Sequence, residues 1–166
     1  MTAQIAENLL YQGEQLRMCS TPLSDFFVQG GFKPEFSITC TALWRGYVGQ
    51  WQILGDRLYL VALSGTLVNG REVSLETVFP GFPKRVFAHW YSGTLRVPQG
   101  RRLEYVHMGF GSVYERDLLL QVDQGVLVAS RVCQNGVSES GSVREGYGVE
   151  AITALHRIRK KTGDGA

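Results

Sequence analysis

LWRGYVGQWQILGDRLYLVAL, residues 43–63, is the stretch that decides how this chain is read. It holds two of the three tryptophans. Residues 49–54 alternate, with Trp51 and Ile53 on one side and Gln50 and Gln52 on the other. Period 2 with one apolar side is the pattern of a half-buried strand. Gly55-Asp56 interrupts it, and both residues tolerate the positive φ of a tight hairpin turn. Residues 57–63 follow and are apolar on both sides after Leu58, as a central strand covered on two faces would be. The stretch predicts the middle of an antiparallel sheet.

The bulk numbers agree with one ordinary globule. At 166 residues the chain suits a single domain with a sizeable core. Its 44% hydrophobic and 19% charged residues give no sign of disorder. A net charge of +2 argues against nucleic acid as a partner. No apolar run approaches the ~20 residues of a membrane helix, so no membrane partner is expected. The N-terminal MTAQIAENLL has neither a basic region nor an apolar core, and a cytoplasmic location is expected. Cys19, Cys40 and Cys133 are odd in number and in no metal spacing, which favours reduced thiols. Neither a metal nor a cofactor is implied.

Outward from the opening stretch, turn signals recur. LLYQGEQLRM reads as a hairpin turning at Gln12-Gly13. Thr21-Pro22-Leu23-Ser24-Asp25 starts a short helix, with Thr21 as N-cap, Pro22 at the first position and Gly30-Gly31 as the stop. Leu23, Phe26 and Phe27 share its apolar face. Residues 36–42 are strand-like, and Asn69-Gly70 marks a further hairpin. Phe79-Pro80-Gly81-Phe82-Pro83 breaks the sheet. Residues 86–91, 94–97 and 103–108 read as strands, with a turn at Pro98-Gln99-Gly100. Residues 117–122 and 126–132 form a hairpin across Asp123-Gln124-Gly125. The expected fold is mainly β, an antiparallel meander that is barrel-like or strongly curved, with a short helix near each end. Residues 9–132 form the β-rich core, 133–149 a polar glycine-rich loop, and 150–161 a C-terminal helix. Ala151, Ile152, Leu155 and Ile158 would form that helix's apolar stripe. His156, Arg157, Arg159, Lys160 and Lys161 would suit its negative end.

The blocks LLYQGEQLRMCSTPLSDFF, LWRGYVGQWQILGDRLYLVAL, VFPGFPKRVFAHWYSGTLRVPQG and LEYVHMGFGSVYERDLLLQVDQGVLV, in this order, resemble a group of uncharacterised bacterial proteins. The resemblance covers most of residues 9–132 and rests on no catalytic motif. It implies a single structural unit and transfers no functional residue. Gly49-Gln50-Trp51 also resembles the Gly-x-Trp that opens the first strand of lipocalin-like barrels. A tryptophan packed at the end of an ordinary core explains the same three residues.

Candidate chemistry falls in two places. Arg45 sits between Trp44 and Gly46-Tyr47, and an arginine among aromatics can stack a planar ligand and bind its acid group. The same arginine could instead be buried in an ion pair that caps the sheet. His89 and His107 are the candidate catalytic residues, with Glu115 after the Gly109-Phe110-Gly111 bend. They could equally be sheet histidines bonded to backbone or water. Nucleophile elbows, phosphate loops and dinucleotide fingerprints are missing from the sequence.

Three functional expectations follow. The first is a non-enzymatic binding module. Trp44, Arg45, Tyr47, Trp90 and Tyr91 would line a concavity for a small molecule or peptide. The alternative is a hydrolase-like enzyme using His89 or His107 with Glu115. The third is a protein-interaction role, such as a homodimer, favoured by exposed sheet edges and surface aromatics.

Overall fold

A computed structural model of the chain describes residues 2–136 and the backbone of 148–154. The first hairpin joins β1 (Glu7–Tyr11) to β2 (Glu14–Met18), with Glu7 opposite Met18. Its turn is Gln12-Gly13, both at positive φ (53° and 81°), the backbone that a tight hairpin demands. Helix α1 (Pro22–Val28) follows, with Pro22 in its first turn. Thr21 occupies the cap position but its hydroxyl makes no capping bond. The helix stops where Gly30 takes φ 103°.

The opening stretch forms β3 (Tyr47–Leu54) and β4 (Arg57–Gly65), antiparallel across Gly55-Asp56. Trp51 and Ile53 are buried and Gln50 is exposed, as the alternation predicts. Strand β1 adds to β3 in parallel, with Leu9 opposite Trp51, so the sheet is mixed rather than a pure meander. The short helix α2 (Leu75–Val78) precedes β5 (Val86–Phe87), which pairs with β4. Then come β6 (Gly93–Glu104), β7 (Val113–Asp123) and β8 (Val126–Gln134), joined antiparallel. Last is β9 (Gly148–Ala154), paired with β8. The order is β2-β1-β3-β4-β8-β7-β6, with β5 on β4 and β9 on β8.

This mainly β sheet is not closed into a barrel. Strands β4 and β8 share one register pair, Arg57 with Val126. The end strands β2 and β6 meet just beyond β2. There the Cys19 amide donates to Arg96 O at 2.8 Å, and the Arg96 amide donates to Ser20 Oγ at 3.0 Å. Leu9, Trp51, Leu58, Leu60, Leu95 and Leu120 are at most 1% exposed and form the centre of the core. A chain of rings seals one side of it. Phe79 stacks on Trp90, Trp90 meets Phe26, and Phe26 meets its neighbour Phe27. Phe27 meets Tyr47, and Tyr47 meets Phe36. The α1 face that periodicity singles out, Leu23, Phe26 and Phe27, faces the core.

Several local expectations are corrected. Residues 36–42 form no strand beyond a single bridge from Phe36 to Leu67, and Cys40 is exposed there. Beyond that bridge no described strand pairs with the segment, so β-propensity alone does not order it. The Asn69-Gly70 turn is present with only one bridge beside it, Thr66 to Glu72. Pro98-Gln99-Gly100 is not a turn between two strands. It lies inside β6, where the register against β7 shifts and Gly100 takes φ 84°, which is how a bulge absorbs turn-like residues. Residues 148–154 are a strand where the start of the C-terminal helix was expected. Val149, Ile152 and Thr153 are β-branched, and the open edge of β8 supplies the ladder that an isolated helix would lack. Residues 137–147 of the polar loop and the basic cluster 156–161 lie outside the described residues.

Candidate functional site

Charged residues are buried in two places, and both support one cavity. The first centres on Glu7, at the start of β1 and 0% exposed. Alternation along β1 puts Glu7 on the same inward side as Leu9 and Tyr11. Its Oε1 accepts from the Gly49 amide at 3.0 Å and the Trp51 indole N–H at 2.8 Å. Its Oε2 accepts from Arg45 Nε at 2.9 Å and Nη2 at 2.6 Å. Burial is the largest influence on this carboxyl and pushes its pKa up, while Arg45, Trp51 and Gly49 pull it back. A Cβ on Gly49 would stand 2.5 Å from Glu7 Oε1 and 2.7 Å from Trp51 Nε1, so glycine is needed there for space. The second N–H of Arg45 Nη2 donates to Ile5 O at 2.8 Å. Its guanidinium also lies over the rings of Tyr47 and Phe110.

The second place centres on Asp117 of β7, 3% exposed. Arg96 Nε donates to its Oδ1 and Asn135 Nδ2 to its Oδ2, each at 3.0 Å. The remaining donors of Arg96 reach out of the pair. Nη1 donates to Phe110 O at 2.7 Å and Nη2 to Ser112 O at 2.8 Å. A single arginine thus neutralises a buried carboxylate and fastens the connection between β6 and β7.

Between these supports lies a pocket of about 280 Å³. It occupies the seam where β2 and β6 fail to pair. Arg17 and Cys19 line it from the β2 side, Pro98 and Arg102 from β6. Ala3, Gln4 and Ala6 form one wall. Tyr105 and Phe110 bring aromatic surface from the β6–β7 connection, and Tyr114 from the start of β7. That connection is tied to the N-terminal segment, because the Gln4 amide donates to Gly109 O at 2.9 Å. The lining contains two arginines and, among the described residues, no carboxylate. Among the described residues neither Arg17 nor Arg102 has an acidic partner, and Arg102 rests over the ring of Tyr105 at 4.8 Å. Burial pushes the Cys19 thiol above its ordinary pKa, with Arg96 pulling the other way, so the thiol is kept protonated and is a weak nucleophile.

The residues expected from sequence are distributed differently. Arg45 and Tyr47 do meet, but behind the pocket, with Arg45 in its ion pair and Tyr47 1% exposed. Trp90 is buried and its indole N–H donates to Pro22 O at 2.8 Å. Tyr91 is buried beside it, while Trp44 is half-exposed. None of these five lines the pocket. His89 and His107 are both exposed. His89 contacts the rings of Phe87 and Trp90, and His107 that of Tyr105. Glu115 pairs with Arg101 and Arg116. No hydrogen bond or ring contact joins any two of His89, His107 and Glu115 among the described residues. Among those residues, no three of His, Cys, Asp and Glu are grouped so as to hold a metal ion. No helix among them is long and apolar enough to cross a membrane.

Glu7, Arg17 and Arg102 escaped the sequence reading. For Glu7 a signal existed. A carboxylate in phase with the inward side of an alternating strand must either end the strand or find a buried partner. Arg17 and Arg102 carried no such signal, because only the meeting of β2 with β6 brings them to one cavity. No family model, curated protein or solved structure matches the chain.

Proposed function

We propose that the protein is a non-enzymatic binding module whose ligand site is the pocket at the β2–β6 seam. The observation that carries this reading is the pocket's lining: two arginines without acidic partners among the described residues, beside three aromatic rings. Sites for small ligands combine apolar and aromatic surface with a few placed polar groups, which is this arrangement. The walls are held before any ligand arrives. Arg45 fastens Ile5, and Arg96 fastens Phe110 and Ser112. A cavity held in shape loses less entropy on binding than one that must be ordered. A volume of about 280 Å³ suits a small molecule or the end of a peptide. A thermal-shift screen of small metabolites and short peptides tests the reading. Ligands should raise the melting temperature of the wild type and lose that effect in Arg17→Gln/Arg102→Gln. If every stabilising compound acts equally on both proteins, the site is elsewhere.

A second reading, association between copies of the chain or with another protein, has its own observation. Val28, Phe32, Ile38 and Trp44 are 86%, 64%, 51% and 51% exposed within one stretch of chain. Exposed apolar residues favour association where they form one patch. Sedimentation equilibrium tests it, and a monomer across the micromolar range would exclude self-association there.

A further inference from the structure

We infer that the pocket is an anion clamp across the open seam, taking the oxyanion head of a small planar aromatic acid. The inference rests on the binding-module reading and names the ligand class. Arg17 belongs to β2 and Arg102 to β6, the two end strands of the sheet. They line the same cavity from the two strands, and among the described residues no carboxylate shares it with them. Two like charges facing one small cavity repel each other, and a bound anion converts that repulsion into two attractions. A guanidinium presents paired N–H donors that match the planar oxygens of a carboxylate or phosphate.

The aromatic half of the ligand would meet the ring-bearing wall. Tyr105 and Phe110 of the β6–β7 connection and Tyr114 at the start of β7 line the pocket. Neither tyrosine hydroxyl has a hydrogen-bond partner among the described residues, so each can donate to the bound acid. The Arg102 guanidinium over Tyr105 extends a flat surface on which a ring can stack. The volume of about 280 Å³ leaves room for one ring with its acid group, below the range of larger sites. Because the acid bridges β2 to β6, it fastens the seam that the backbone leaves open beyond the Cys19–Arg96 hydrogen bond. Binding therefore slows amide exchange of residues 14–19 and 96–104 together.

Isothermal titration with benzoate, phenyl phosphate, benzamide and inorganic phosphate tests the clamp, on wild type, Arg17→Gln, Arg102→Gln and the double variant. Both arginines are exposed, so the variants keep the fold. The clamp requires benzoate or phenyl phosphate to bind at least about ten-fold more tightly than benzamide. Each single substitution should weaken that binding about ten-fold, and the double variant should abolish it. The tighter of the two acids identifies carboxylate or phosphate as the head group. Benzamide binding as tightly as benzoate, or a double variant binding like wild type, overturns the clamp and leaves the binding-module reading standing. Inorganic phosphate binding as tightly as phenyl phosphate overturns the aromatic half. No binding by any probe overturns the clamp. The wider reading then fails only if the metabolite screen is also silent.

Discussion

Arg45 Nη2 donates to Glu7 Oε2 at 2.6 Å, and the same nitrogen donates to Ile5 O at 2.8 Å. One guanidinium therefore joins a buried carboxylate of β1 to the backbone of the segment that walls the pocket. Arg45→Met should leave Glu7 buried without its counter-charge and cost about 3 kcal/mol near neutral pH. The loss should grow with pH. Burial already holds the Glu7 pKa above its ordinary 4.5, and removing Arg45 raises it further. A carboxyl raised in the fold contributes its stability while protonated and loses it as pH rises through the folded pKa. Urea unfolding at intervals from about pH 5 to pH 8 should show the gap to wild type widening. Glu7→Gln/Arg45→Met should lack that slope, because no titrating group remains at the position. A gap independent of pH in the single variant would show that Glu7 does not titrate there.

Gly49 stands where the Glu7 carboxylate and the Trp51 indole converge. Gly49→Ala places a methyl group within 2.5 Å of one and 2.7 Å of the other. Neither can retreat without giving up a hydrogen bond. A loss of about 2 kcal/mol is expected in urea unfolding, with a shift in the fluorescence of Trp51. Unchanged stability would mean that Glu7 has another buried position to occupy.

Tyr47 is 1% exposed and donates to or accepts from Ser24 Oγ at 2.8 Å. Burial pushes its pKa up from 10.0 to about 12. In the unfolded chain the phenol ionises near its ordinary value, while the folded chain keeps it neutral. Stability is therefore fully present below pH 10 and falls as pH rises toward 12. Tyr47→Phe should cost about 1 kcal/mol at pH 8 through the lost hydrogen bond. Above pH 10 the wild type should lose that advantage, so the two stability curves converge. Curves that stay parallel to pH 11.5 or so would place the ionising tyrosines elsewhere.

The hairpins were legible because their turns are chemical. Gln12-Gly13, Gly55-Asp56 and Gln124-Gly125 all take positive φ, and the residue types announce it. The helical stripe of Leu23, Phe26 and Phe27 was legible for a related reason, since periodicity reports a face wherever an element is regular. Residues 148–154 were not legible. Their apolar spacing fits a helix, and the neighbouring edge of β8 makes them a strand. The site was legible only in part. Arg45 stood out locally, but its partner Glu7 lies 38 residues away. The parallel pairing of β1 with β3, which no turn signal announces, brings them together. Arg17 and Arg102 likewise share a cavity only because β2 and β6 are the ends of one sheet. Tertiary juxtaposition of this kind leaves no periodic trace in either strand.

Arg96 links Asp117 to Phe110 O and Ser112 O, so one side chain holds both a buried charge and the aromatic wall. Arg96→Met should cost about 3 kcal/mol, because among the described residues Asp117 keeps only Asn135 as partner. Stability alone cannot separate the two roles, and amide exchange can. In Arg96→Met the amides of residues 105–112 should exchange faster than the global loss predicts. Arg96→Lys retains a cation near Asp117 but cannot donate to two carbonyls in a fork. It should recover much of the stability while the connection still exchanges rapidly. Phenyl phosphate binding should weaken in both variants, since Phe110 and Tyr105 are no longer held in place. Exchange in 105–112 that follows the rest of the protein in Arg96→Met would show that the wall is held by other contacts.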